Sequence, residues 1–221
     1  MTELRIVALD LSLAATGVAW THDHTGHAVV GCRTIHTART AHGATDMDHR
    51  RVATVLADVA AACLAQPHLV VIEWLPLIDG KGDVTVRLGE LHGVIKHWLF
   101  TRRPPITYTG MRPQDVKIWA TGKGNATKTD VRAAITAQYG RLCHVEDDNQ
   151  ADALSMLSAA RAAYGQPLAG SVTQLQRRAL AGVKWPTLQT EAGPVVPVVS
   201  SGAGGAAREG RRPSRPGGDD R

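Results

Sequence analysis

The sequence is poor in aromatic residues: five Trp, three Tyr and one Phe make up 4% of 221 residues. Its core must therefore be assembled mainly from Ala, Val, Leu and Ile. Cysteine is also scarce. Cys32, Cys63 and Cys143 are far apart and odd in number, with no Cys-x-x-Cys or Cys/His zinc spacing, so neither a disulfide framework nor a structural zinc is indicated. Cys63 falls where a buried helix residue is expected. No apolar run approaches the ~20 residues of a membrane span. The first residues, MTELRIVALD, lack the basic and apolar regions of a signal peptide. A cytoplasmic protein without membrane association is the expectation. Ten histidines are scattered through HDHTGH, His36, His42 and elsewhere without ligand spacing, and read as surface.

What is present is a basic balance. The formal net charge is +5 and the pI about 9.4, which suits a polyanionic partner such as nucleic acid. The length accommodates one α/β domain with a real core, over residues 1–186. From about Thr187 the composition turns to Gly, Pro, Ser and Arg, which predicts a disordered tail over 187–221, either a solvated segment or a source of non-specific phosphate attraction.

Short apolar runs predict strands at Leu4–Leu9, Thr16–Thr21 and His27–Ile35, with a turn at His24-Thr25-Gly26. Three strands in close succession suggest an antiparallel meander. Met47–Leu64 has helical spacing, with Val52, Val55, Leu56, Val59 and Cys63 on one face and Asp46 or Thr45 as cap. A second buried strand, His68–Glu73, leads through a Gly-rich loop (Asp79–Asp83) to a helix over Val84–Phe100, striped by Leu88, Leu91, Ile95 and Leu99. A short strand is expected at Pro104–Tyr108, then helices at Pro113–Trp119, Asp130–Tyr139 and Asn149–Tyr164. This order predicts an α/β fold: a mixed five-stranded sheet, meander plus parallel strands, flanked by helices.

Carboxylates carry the chemical signal. Asp10 follows four apolar residues at the end of the first strand, and Glu73 repeats the pattern in VVIE. If those strands are parallel neighbours, the two acids meet at one sheet edge. Like charges that close repel unless a cation lies between them. In EDDNQADALSMLSAA, Asp148 and Asp152 share a helix face. Asp147 and Asp148 suit a helix N-terminus through capping and the macrodipole. Capping does not explain Asp152, one turn inside a run of Ala, Leu and Met. Several carboxylates on one side of a site are what two-metal phosphodiester hydrolysis needs, and hard oxygen ligands suit Mg2+.

In this order, strand-Asp, strand-Glu and late helix-Asp, the sequence resembles the RuvC family of Holliday junction resolvases, over roughly residues 4 to 164. RLGELHG (Arg87–Gly93) is similar to that family's helix after the second carboxylate. RPQDVKIWATGKGNATK (Arg112–Lys128) is similar to its Pro-x-x-Val-Lys segment, Gly-x-Gly loop and following Lys, and ADAL to its last catalytic Asp. The resemblance implies an RNase H-like fold, a homodimer, and Mg2+ (or Mn2+), two ions per site, held by Asp10, Glu73 and Asp152. At the family's fourth acidic place, three residues before Asp152, this sequence has Asn149, with Asp148 one residue earlier as the candidate to take its role. The resemblance also implies basic residues at the scissile phosphate, Lys117 and Lys128, and a DNA surface including Lys123, Arg87 and Trp74. Two positions depart from the pattern: Leu11-Ser12 follow the first Asp in place of Pro-Gly, and Pro76 stands where an aromatic residue stacks on a junction base, leaving Trp74 as its candidate substitute. The implied activity is symmetric cleavage of four-way junctions in DNA recombination and repair. Helix 84–100, with Trp98 and Phe100 extending its apolar surface, is the expected dimer element.

Three other readings fit the same residues. One is an RNase H-like nuclease for other branched or flapped DNA or for RNA–DNA hybrids. Another is an actin-like ATPase, for which DLSLAATG fits loosely but a second Gly-rich phosphate loop is missing. The third is an inactive junction-binding protein.

Overall fold

The computed structural model describes residues 3–37, 49–75 and 82–199. In chain order the elements are β1 (Ile6–Asp10), β2 (Ala15–His22), β3 (Ala28–His36), α1 (His49–Ala62), β4 (Leu69–Glu73), α2 (Gly82–Thr101), β5 (Tyr108–Met111), α3 (Pro113–Thr121), α4 (Lys128–Tyr139), α5 (Asp148–Ala163), α6 (Gln174–Ala181), β6 (Leu188–Thr190) and β7 (Gly193–Val195). The first five strands form one sheet in the order β3-β2-β1-β4-β5. β1, β2 and β3 pair antiparallel, while β1, β4 and β5 run parallel. This is the expected mixed sheet, a meander extended by two parallel strands.

Both faces are covered, which is why β1 and β4 are apolar up to their final carboxylates rather than alternating with polar residues. Successive side chains still point to opposite faces. Ile6 and Ala8 of β1, with Leu69 and Val71 of β4, join the cluster built by α3, α4 and α5. Val7, Leu9, Val70 and Ile72 join the cluster of α1 and α2. The same parity puts Asp10 and Glu73 on the α5 face. α5 itself is buried nearly all round: between Gln150 and Ala163 only Asp152 and Arg161 keep partial exposure. Its Ala and Ser residues let it lie close against the sheet, and the buried Ser158 hydroxyl accepts a hydrogen bond from Trp119 Nε1 at 2.7 Å.

Several sequence expectations change. β5 spans Tyr108–Met111, not Pro104–Tyr108; Pro104 and Pro105 have no N–H to offer a ladder, and pairing with β4 starts at Tyr108. The proposed caps Thr45 and Asp46, the start of the first helix at Met47 and most of the Gly-rich loop, with Pro76 before it, lie outside the described residues. α6 and the β6–β7 hairpin were not expected. The tail expected to be disordered from Thr187 is instead structured as far as residue 199: Leu188 is fully buried, Tyr164 Oη donates to Pro186 O at 2.6 Å, and Val198 N donates to Ala163 O at 2.8 Å. Nor are the histidines all on the surface. His22, His68 and His92 are buried, and His68 accepts a hydrogen bond from Arg5 N through Nδ1 at 3.0 Å. Among the described residues no helix is long and apolar enough to cross a membrane.

Candidate active site

Strand register assembles the site. Leu9 pairs with Ile72, so the next step along the two parallel strands sets Asp10 beside Glu73. Asp10 also pairs with Gly17 of β2, and Gly17 with Thr34 of β3. A single row, Glu73–Asp10–Gly17–Thr34, thus crosses four strands at the carboxyl end of β1 and β4. The missing side chain at Gly17 admits the start of α5: a Cβ there would lie 2.0 Å from Asn149 O. Thr34 holds that helix end from the other side, its hydroxyl donating to Asp147 Oδ2 at 2.6 Å.

Asp147 is the N-cap of α5, accepting from Gln150 N at 2.9 Å. Of the two acids that suit a helix N-terminus, Asp147 is therefore the one occupied in capping. Asp148 is the first helical residue, and its charge acts on Asp152. Asn149 is half-buried, with its backbone set against Gly17.

The electrostatics follow from this crowding. Asp10 and Glu73, side by side at the ends of adjacent strands, each raise the other's affinity for a proton or a cation. Burial pushes Asp10 up to about 7; the charge of Asp152 adds to the rise, and Lys128 opposes it. Burial pushes Glu73 up to about 9, reinforced by Asp10 and then Asp152, and again opposed by Lys128. Asp152 rises to about 6 through burial, with Lys128 and Lys117 lowering it and Asp148 raising it. Three acids from β1, β4 and α5 thus sense one another, with two lysines from α3 and α4 at their margin.

Among the described residues no group of three or more His, Cys, Asp or Glu is already gathered around an ion-sized space. The donor set nonetheless fits a hard divalent cation: it is all carboxylate, and all three acids are pushed up despite the two lysines, so negative charge there is under-compensated.

The remaining candidates fall elsewhere. Lys123 is exposed on the loop after α3, its charge directed to Asp130. Arg87 is half-buried on α2, in the layer on the other side of the sheet. Trp74 is 57% exposed, but its ring lies across Gly110 of β5, where an added Cβ would be 1.7 Å from its Nε1. Gly110 pairs with Ile72, so this is the α2 face, opposite the acids. Sequence reasoning missed Gly17 and Thr34, whose importance appears only once the register is known.

No protein-family model matches the sequence, and no curated protein matches it. Solved structures do. A Thermus thermophilus RuvC structure superposes with a TM-score of 0.52 at 19% identity, over 74% of this chain and 98% of that one. T. thermophilus RuvC in complex with a Holliday junction substrate gives a TM-score of 0.52 at 16% identity, over 70% and 90%. The chain has a RuvC-like, RNase H-like fold.

Proposed function

We propose that this chain is a divalent-metal-dependent endonuclease of branched DNA, and that its substrate is the four-way junction. The observation that carries this reading is the strand register that sets the buried Asp10 beside Glu73 at the ends of adjacent parallel strands, where both feel the charge of Asp152 on α5. The junction bound to one of the similar structures supports the substrate.

In this reading Asp10, Glu73, Asp148 and Asp152 hold two Mg2+ ions, for which Mn2+ substitutes. Bound there, the ions would supply Lewis-acid activation of the phosphodiester and of water. To hold the ions, Asp10 and Glu73 would have to be ionised, against the burial that raises both. Lys128 and Lys117, beside Asp152, offset the charge that develops on the scissile phosphate. Lys123 contacts the DNA backbone, as do Arg87 and Trp74 from the neighbouring layer. A homodimer formed through α2, where Val84, Val86 and Phe100 are exposed, would place two such sites about a two-fold axis and nick opposite strands symmetrically. A monodisperse monomer in light scattering would count against that dimer.

The turn of Trp74 away from the acid face favours a second reading, in which no aromatic side chain stacks on a junction base and the enzyme acts on other branched DNA or on RNA–DNA hybrids. The test is nicking of labelled junctions, flaps and hybrids with Mg2+, with EDTA and Asp10→Asn as controls. Paired symmetric nicks on the junction, lost in both controls, are expected. Faster cleavage of flaps or hybrids would select the second reading, and cleavage of none would remove both.

A further inference from the structure

Cys32 and Cys143 are 111 positions apart in sequence, yet their sulfurs lie 3.3 Å from each other. Cys32 is on β3, two residues before Thr34, and Cys143 is in the connection from α4 to α5; both are half-buried. The Cys32 thiol also lies 3.2 Å from His144 O and 3.6 Å from Gln150 Oε1. Gln150 in turn accepts from Glu146 N through Oε1 at 2.9 Å. Together with the Thr34–Asp147 bond, these contacts make β3 the clamp on the first turn of the helix that carries Asp148 and Asp152. Cys63 sits elsewhere, buried just after α1 among apolar residues.

We propose that Cys32 and Cys143 are a redox-active pair whose disulfide fastens β3 to the front of α5. Hydrogen peroxide is the oxidant. The Cys143 thiolate attacks a peroxide oxygen, the O–O bond breaks, and Cys143 sulfenic acid forms with release of water. The Cys32 sulfur then displaces the sulfenic oxygen, a second water leaves, and the S–S bond closes. Two thiols are oxidised and one peroxide is reduced. Geometry brings the sulfurs from 3.3 Å to the bonded distance of about 2.05 Å, a small movement of the connection that carries Cys143. The hydrogen bond between the thiols lowers the Cys143 thiol and raises that of Cys32, consistent with Cys143 as the attacking sulfur.

The experiment treats the native full chain with hydrogen peroxide and maps its peptides without reduction. A Cys32–Cys143 linked peptide is expected, reversed by dithiothreitol, with Cys63 still free. The oxidised protein should melt higher by about 10–20 °C, the effect of closing a loop of roughly 100 residues, and amides in the first turn of α5 should exchange more slowly. In Cys32→Ser the peroxide should leave a sulfenic acid at Cys143 trappable by dimedone, with no rise in melting temperature. Unlinked thiols that alkylate as fast after peroxide as before, or a link found only between two chains, would overturn the proposal. None of these readouts depends on nuclease activity.

Discussion

The two ends of β4 treat carboxylates in opposite ways. At its start, His68 accepts from Arg5 N, and His68 Nε2 lies 3.2 Å from Glu191 Oε2. Arg5 donates to Glu191 Oε1 at 2.6 Å and to Gln66 O at 3.1 Å. The Arg5 hydrogen bond, foremost among several, holds Glu191 down to about 2. At its end, burial beside Asp10 and Asp152 pushes Glu73 up to about 9. One end answers its acid with the chain's own cations. The other gathers acids, sets two lysines at the margin, and leaves charge unbalanced. Local disagreement of this kind marks functional sites, where an arrangement that costs stability is kept for something the chain itself does not contain.

That contrast breaks most sharply in activity. Glu73→Gln and Asp152→Asn should each lower junction nicking by at least about 10²–10³-fold, the size of losing one electrostatic group that acts in the transition state, while Glu191→Gln leaves the rate unchanged in the same assay. Next comes loading of the site. Mg2+ or Mn2+ at a hundred times its dissociation constant should raise the melting temperature by about 5–10 °C; Asp10→Asn should abolish the rise, and Glu191→Gln should not.

Gly17→Ala tests how α5 is held. Its Cβ would meet Asn149 O at 2.0 Å, and overpacking of this kind costs about 1–3 kcal/mol. Denaturant unfolding should show the loss, and the metal-induced rise should shrink as the first turn of α5 is displaced.

The smallest effect is the pH dependence in EDTA. Because Asp10 and Glu73 bind protons more tightly folded (about 7 and about 9) than at their ordinary 3.8 and 4.5, their contribution is fully present only below those ordinary values. It is lost as pH rises through 7 and 9. Melting temperature should therefore decline across that window, and Glu73→Gln should flatten the decline. Glu191, lowered instead, contributes above its ordinary 4.5 and loses that contribution as pH falls towards about 2. A Glu191→Gln effect should appear only at the acid end, and it should be slight because the side chain is exposed.

The sheet and its acids were legible because their signals are local. A carboxylate closing an apolar strand, as in IVALD and LVVIE, stands out without any knowledge of neighbours. Asp152 stands out in the same way inside an Ala- and Leu-rich helix. What was hidden depends on distant pairing. Gly17 matters only because its strand runs beneath Asn149, and Cys32 meets Cys143 only across the fold. α6 is only eight residues long, is polar overall and buries just Ala179 and Leu180. Its readable signal was the capping box of Thr173 and Gln176. The β6–β7 hairpin is too short and Pro-containing to read as strands, and it is secured by Leu188 in the core and Glu191 on Arg5.

The most direct measurement is anomalous diffraction from crystals of the protein soaked in Mn2+. Anomalous density for the ion is expected between Asp10, Glu73 and Asp152. Well-soaked crystals with Mn2+ elsewhere and no ion among the three acids would contradict it.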